Sequence, residues 1–183
     1  MNEVERIYEE LKAIGQIVVA SNDVSARADF GAHSAKTFLL AGASYFERRI
    51  ISSIKDHVSA VTTSGVVSHF VLHQALERKF FVLFNFNAEV KNINAFLSKF
   101  GPDYSQWAKD DIKDEGIEKN QLDFLNFCRL RNSLVHSNYA TYNIDKTLDD
   151  VWVEYGKALL LVNWIEASFG RFNEVFMRAA GKS

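Results

Sequence analysis

The chain has 183 residues, with 21 Lys and Arg against 23 Asp and Glu, and a formal net charge of −2. This length and a hydrophobic content of 48% predict one domain spanning residues 1–183 and exclude an intrinsically disordered chain. The small net charge excludes a general electrostatic footprint for nucleic acid, so any contact with RNA has to be local. One proline and nine glycines leave long stretches free to form helix.

Targeting signals are absent from the pattern. The first residues are acidic. A signal peptide instead begins with a basic segment that an apolar segment follows, so the sequence argues against one. The longest apolar runs, such as residues 158–162, are far shorter than the about 18 residues that a transmembrane helix needs. The only cysteine, Cys128, has apolar neighbours that predict a small core residue, with a reactive thiol as a distant alternative. We therefore expect a soluble cytoplasmic protein.

Two helical patterns occupy the first third of the chain. Asn2 and Glu5 fit a capping box, and apolar residues then recur at the spacing of one helix face until the polar residues 21–23. A longer stripe over residues 38–58 repeats about every four residues and predicts a central helix. Small residues at 41–44 would allow another helix to approach this one closely.

The middle of the chain has weaker patterns. Residues 67–84 predict a third helix, which residues 85–87 interrupt. Residues 101–103, Gly-Pro-Asp, indicate a turn. Residues 110–116 are polar and predict a solvated stretch.

Helical spacing returns at residues 122–129, and Thr147 with Asp150 forms a second capping box. The helix that this box begins could run about 30 residues, or roughly 45 Å, which is longer than the core of one domain requires. No alternation typical of strands occurs. The sequence therefore predicts an all-α bundle in which long neighbouring helices run antiparallel.

One segment combines groups that can do chemistry. On a helix, Asn132 and His136 lie one turn apart on the same face, and Arg131 is long enough to reach toward them. Imidazole exchanges a proton near neutral pH, and a planar guanidinium holds phosphate through two hydrogen bonds. Such a set suits RNA cleavage, in which the ribose 2′-OH is the nucleophile and no metal or other cofactor is needed. Because one histidine cannot easily be both acid and base, a symmetric homodimer would supply the second.

Residues 131–136, Arg-Asn-Ser-Leu-Val-His, resemble the Arg-x4–6-His motif of HEPN domains, which are all-helical prokaryotic modules. The earlier residues 39–49 are similar to the helix that precedes the motif in the RiboL-PSP-like branch of that family. The resemblance implies a HEPN-like helical bundle with Arg131 and His136 as the catalytic pair. It further implies that Asn132 is a supporting hydrogen-bonder and that Glu47 is a carboxylate that orients Arg131.

The same resemblance implies a metal-independent endoribonuclease with a composite site in a homodimer. It also implies a toxin–antitoxin or anti-phage setting with RNA as substrate and a protein antitoxin as a possible partner. In some HEPN toxins a tyrosine two residues after the histidine is modified by nucleotidyl transfer. Here Tyr139 is three residues after His136, so we do not extend that regulation to this chain.

Several alternatives stay open. Arg131 and His136 could simply stabilise a helix C-terminus, and Glu47 could pair with Arg48 or Lys55 on a solvated face. The domain could also be a non-catalytic HEPN-like module that binds RNA, a nucleotide or a protein. A third alternative is a metal-dependent hydrolase, because three side chains share a helix face at the i, i+4 and i+8 positions, although no fourth ligand is evident. These side chains are His69, His73 and Glu77.

Overall fold

The structure, a computed structural model, describes residues 1–62, 65–66 and 80–180. Over these ranges the chain is all-α and contains no strand. The predicted helix over residues 67–84 therefore lies largely outside the described residues. The described helices are α1 (Glu3–Ala20), α2 (Val24–Val61), α3 (Phe80–Leu83), α4 (Asn94–Leu97), a 3₁₀ turn (Ser98–Phe100), α5 (Pro102–Asp114), α6 (Glu118–His136) and α7 (Leu148–Ala180).

Helix α1 begins with the predicted capping box. The Asn2 side chain accepts hydrogen bonds from the backbone N–H groups of Val4 and Glu5, both at 2.9 Å, and the Glu5 carboxylate accepts from the Asn2 N–H at 2.7 Å. The helix ends at the predicted polar turn, where Asn22 adopts a φ of +56°. Asparagine tolerates this left-handed conformation better than most residues. The predicted boundary between the first two helices is therefore confirmed.

Helix α2 begins at Val24, well before the apolar stripe that indicated it. Asp23 caps the helix by accepting from the Ala26 N–H at 3.0 Å. The first turns of α2 are rich in alanine, serine and glycine. Because these residues form no apolar stripe, the sequence analysis did not predict this part of the helix. From Phe38 onward the helix is buried at about every fourth residue, as predicted.

Four long helices surround the core, with α2 in contact with α1, α6 and α7. Phe38 of α2 packs against Tyr8 of α1 and Trp152 of α7, while Phe46 packs against Phe124 of α6. Helices α1 and α6 both run antiparallel to α2, because contacts later in α2 are made to earlier residues of α1 and of α6. Helices α2 and α7 are far apart in the chain and run parallel.

Residues 102–114 form helix α5, which the sequence analysis did not predict, although most of residues 110–116 are exposed as expected and Gly101 adopts a turn conformation. Pro102 occupies the first helical position, where the missing N–H costs nothing and the fixed φ is already helical. Ala108 and Ile112 are buried on one face, and Asp111 accepts a hydrogen bond from the indole of Trp164 at 2.7 Å. The charged residues of this helix therefore cover a hydrophobic face, and the chain turns on both sides of it, at Gly101 with a φ of +96° and at Gly116 with a φ of +69°.

The second predicted capping box starts α7. Thr147 Oγ1 accepts from the Asp150 N–H at 3.1 Å, and the Asp150 carboxylate accepts from the Thr147 N–H at 2.9 Å. The helix extends over 33 residues, close to the predicted length. Within the described ranges, none of these helices combines the length and the apolar character needed to cross a membrane.

Candidate functional site

Helix α6 carries the Arg-x4-His segment, and its position is fixed by burial on one face. Phe127, Cys128 and Leu134 are all buried. Phe127 packs against Phe46 of α2 and Tyr155 of α7, with ring centroids 5.3 and 6.2 Å apart. The prediction that Cys128 is a core residue is confirmed. The opposite side of the same helix is therefore left for the polar residues of the motif.

Arg131 and Asn132 are brought together. Both side chains are half-buried, and Nη1 of Arg131 donates a hydrogen bond to Oδ1 of Asn132 at 3.3 Å. This contact directs the guanidinium around the helix toward the face that Asn132 shares with His136. The amide of Asn132 is therefore one group that orients the Arg131 guanidinium.

His136 is the last residue of α6 and is exposed. The helix closes immediately after it, where the Ser137 N–H donates to the Ser133 carbonyl at 3.1 Å. Within the part of the chain that the structure describes, the imidazole makes no hydrogen bond, ion pair or ring contact. Both ring nitrogens of His136 are therefore accessible to a molecule that approaches from solvent.

Glu47 is half-buried on the part of α2 that faces α6. Burial raises the pKa of the Cys128 thiol, the nearby Arg131 guanidinium opposes this rise, and the Glu47 carboxylate adds to it. Both charges therefore lie within electrostatic range of one sulfur atom. Glu47 forms no hydrogen bond or ion pair with another described residue, Arg131 included, and Arg48 pairs with Glu3 instead.

The loop that follows α6 is held by a buried lysine that the sequence analysis missed. Lys36 Nζ donates to the backbone carbonyl of Tyr139 at 3.0 Å and lies 5.0 Å from the centroid of the Tyr139 ring. The His33 ring lies against the same tyrosine, with centroids 6.2 Å apart and an interplanar angle of 27°. Lys36 precedes the apolar stripe of α2, and its acceptor is a backbone atom, so no local pattern indicates this contact.

Two cavities lie away from the motif. A cavity of about 880 Å³ is bounded by α1, the first turns of α2 and residues 143–150. A second of about 780 Å³ follows α2 and α7, where Arg49 Nε donates to the Glu166 carboxylate at 2.6 Å. Neither of these two cavities is lined by Arg131, Asn132 or His136.

The candidate metal ligands His69, His73 and Glu77 lie outside the described residues. Among the residues that the structure does describe, no group of three or more His, Cys, Asp and Glu side chains is arranged to hold a metal ion.

Comparison with known proteins does not assign the chain to a family. No protein-family model matches the chain, and no curated protein or solved structure matches it either.

Proposed function

We propose that this protein is a metal-independent endoribonuclease of HEPN type that cleaves RNA at a site shared by two copies of the chain. The observation that carries the proposal is the Arg131–Asn132 hydrogen bond, with the exposed His136 one helical turn beyond Asn132. In the proposed site the cation, the amide and the titratable ring act together on a phosphodiester bound at this helix end.

The chemistry assigns one role to each group. One His136 accepts the proton of the ribose 2′-OH as its oxygen attacks phosphorus, and the P–O5′ bond breaks. A second, protonated His136 returns a proton to the departing 5′ oxygen. Arg131 binds the nonbridging phosphate oxygens as charge develops, and Asn132 holds the guanidinium in place. The products are a 2′,3′-cyclic phosphate and a 5′-hydroxyl.

The second copy supplies what one chain lacks. One chain carries a single His136, which is exposed at the end of α6. A twofold pairing of the α6 ends would place two imidazoles and two guanidiniums around one phosphodiester and form the walls of a cleft. The motif's resemblance to HEPN domains also supports a toxin–antitoxin or anti-phage role, with a protein antitoxin as partner.

The direct test is RNA cleavage by the full chain in buffer containing EDTA. We expect His136→Ala to lower the cleavage rate by about 10²–10⁴-fold, because a positioned acid or base contributes a factor of this size. Arg131→Ala should cause a comparable loss, while the control Arg6→Ala, which removes an exposed cation of α1, should cleave normally. Mass spectrometry of the wild-type products should detect 2′,3′-cyclic phosphate ends.

Three results would contradict this proposal. Full cleavage by His136→Ala would remove the mechanism. Products with 3′-hydroxyl and 5′-phosphate ends would indicate attack by a metal-activated water instead. Intact RNA with saturable binding that Arg131→Ala abolishes would indicate the non-catalytic binding module.

A further inference from the structure

An exposed aromatic ring is held in a defined position beside the motif. Tyr139 is 39% exposed, although its carbonyl and its ring both contact the Lys36 ammonium. Lys36 itself is only 3% exposed, so its charge is withdrawn from water and depends on these contacts. A buried cation tolerates few alternative positions for its partners, and this restricts where the Tyr139 ring can lie.

The local backbone adds a second restraint. The Asn138 side chain accepts a hydrogen bond from the Ala140 N–H at 3.0 Å, and the Asn138 carbonyl accepts from the Tyr142 N–H at 2.8 Å. Tyr139 therefore sits within a closed turn rather than on a freely moving loop. A ring that is already ordered loses little conformational entropy when a ligand stacks on it.

The position of this ring relates it to the proposed cleavage site. Tyr139 follows His136 by three residues, a stretch of chain that spans at most about 10 Å. A phosphodiester held by His136 and Arg131 would carry its neighbouring bases into this region. Aromatic side chains bind unpaired bases by stacking, whereas bases inside an RNA duplex are stacked on each other and cannot be reached in this way.

We infer that Tyr139, held by Lys36 and flanked by His33, is a stacking platform for an unpaired base next to the cleaved linkage. This inference rests on the proposed ribonuclease function and specifies its substrate as single-stranded RNA. The ring provides contact without reading base identity, so the platform favours flexible, unpaired RNA over any particular sequence.

The test measures binding separately from cleavage. Fluorescence anisotropy of a labelled single-stranded RNA is recorded with the His136→Ala chain, which should leave the RNA intact. Adding Tyr139→Ala should weaken binding by roughly 5- to 150-fold, the range reported by alanine substitution for one stacked base. Tyr139→Phe should bind as the parent does, because it keeps the ring.

A matched control and a second variant distinguish loss of the Tyr139 ring from general unfolding of the protein. Val135→Ala removes an exposed apolar side chain from the end of the same helix without removing a ring, and should leave affinity unchanged. Lys36→Met should weaken binding in the same direction as Tyr139→Ala, with circular dichroism verifying that the helices remain. A duplex of the same sequence should bind less tightly than the single strand.

The RNA itself provides the sharpest readout. A single abasic nucleotide is placed at successive positions of the oligonucleotide. At one position it should weaken binding to the His136→Ala chain, which keeps Tyr139. The same substitution should not weaken binding further when Tyr139→Ala is also present. If Tyr139→Ala binds every RNA as tightly as the parent, the platform is excluded even when the wild type cleaves RNA. If the wild type fails to cleave but this base-dependent effect of Tyr139 is present, the ribonuclease proposal fails, whereas stacking of an unpaired base on Tyr139 is supported without a cleaved linkage beside it.

Discussion

A methyl group on Gly42 would lie 2.9 Å from Cζ of Phe127, a separation that Cβ atoms essentially never adopt. Cδ2 of Tyr155 would be 3.0 Å from the same methyl group. Helices α2, α6 and α7 therefore meet around a residue that has no side chain. The close approach expected from the small residues 41–44 is confirmed, and it fixes the helix that carries Arg131.

Gly42→Ala should lower the free energy of unfolding by about 1–3 kcal/mol, because the extra methyl group displaces buried rings in a packed core. Urea denaturation followed by circular dichroism measures this change. The control is Gly156→Ala on α7, where no atom lies within 4 Å of the added Cβ. That variant should be more stable by up to about 1 kcal/mol, since alanine is the better helix former. A tolerated Gly42→Ala would show that α6 can move away from α2.

Cys128 should be unreactive in the native protein. Burial raises the pKa of its thiol, so very little nucleophilic thiolate forms at neutral pH. A chromogenic disulfide reagent should therefore react only as fast as the protein opens, and the rate should rise steeply with urea. Rapid stoichiometric reaction without denaturant would contradict the packing of α6 against α2.

His57 should make stability depend on pH. Burial lowers the pKa of His57 below its ordinary value of 6.5, and its ring stacks on Phe169 with centroids 4.8 Å apart. The unfolded chain therefore binds a proton at His57 more readily than the folded chain, so the free energy of unfolding falls as the pH drops below about 6.5.

The comparison variant for this prediction is His57→Gln. Loss of the stacked ring lowers its stability by an amount that does not vary with pH. The difference between wild type and variant should therefore shrink on acidification from pH 7. A difference that is constant with pH would show that His57 has the same pKa in both states.

Glu47→Gln should reduce cleavage less than His136→Ala does. The carboxylate shares the surroundings of Cys128 with Arg131 but forms no bond to it, so it can act on the guanidinium only through its field. We expect a lower kcat with an unchanged KM, and partial recovery in Glu47→Asp, which restores the charge. A change in KM alone would place Glu47 in substrate binding instead.

The proposed cleavage site requires a dimer in solution. Sedimentation equilibrium should give twice the chain mass of 20.8 kDa, and His136→Ala should give the same result because the exposed imidazole has no role in the fold. A monomer that still cleaves RNA would refute the shared site.

The sequence predicted the parts of the fold that depend on neighbours along the chain. Both capping boxes formed as expected, because each needs only a side chain and an N–H three residues away. The apolar stripe of α2 was also predicted correctly, because helical periodicity is read from residues three and four positions apart in the chain. Helix α5 was missed because its charged face dominates the pattern, whereas Ile112 and Ala108 find their partners only when α7 is present.

The candidate site divides in a similar way. The Arg131–Asn132 contact was anticipated from the length of the arginine side chain, because adjacent residues of a helix do not otherwise face each other. Glu47 was expected to orient Arg131 directly, yet the two side chains only share an electrostatic environment around Cys128. Lys36 gave no sequence signal, since a lysine normally marks a solvated surface and this one is buried against the Tyr139 carbonyl.

The Lys36–Tyr139 contact joins residues 103 positions apart. Closing so long a segment costs chain entropy before any contact is gained, so the turn after α6 is expected to order only after the central helices have associated. The protein thus completes the C-terminal end of α6 late in folding. Under the proposed function, partly folded chains, such as those emerging during synthesis, would carry the motif without its ordered surroundings and would not cleave the RNA nearby.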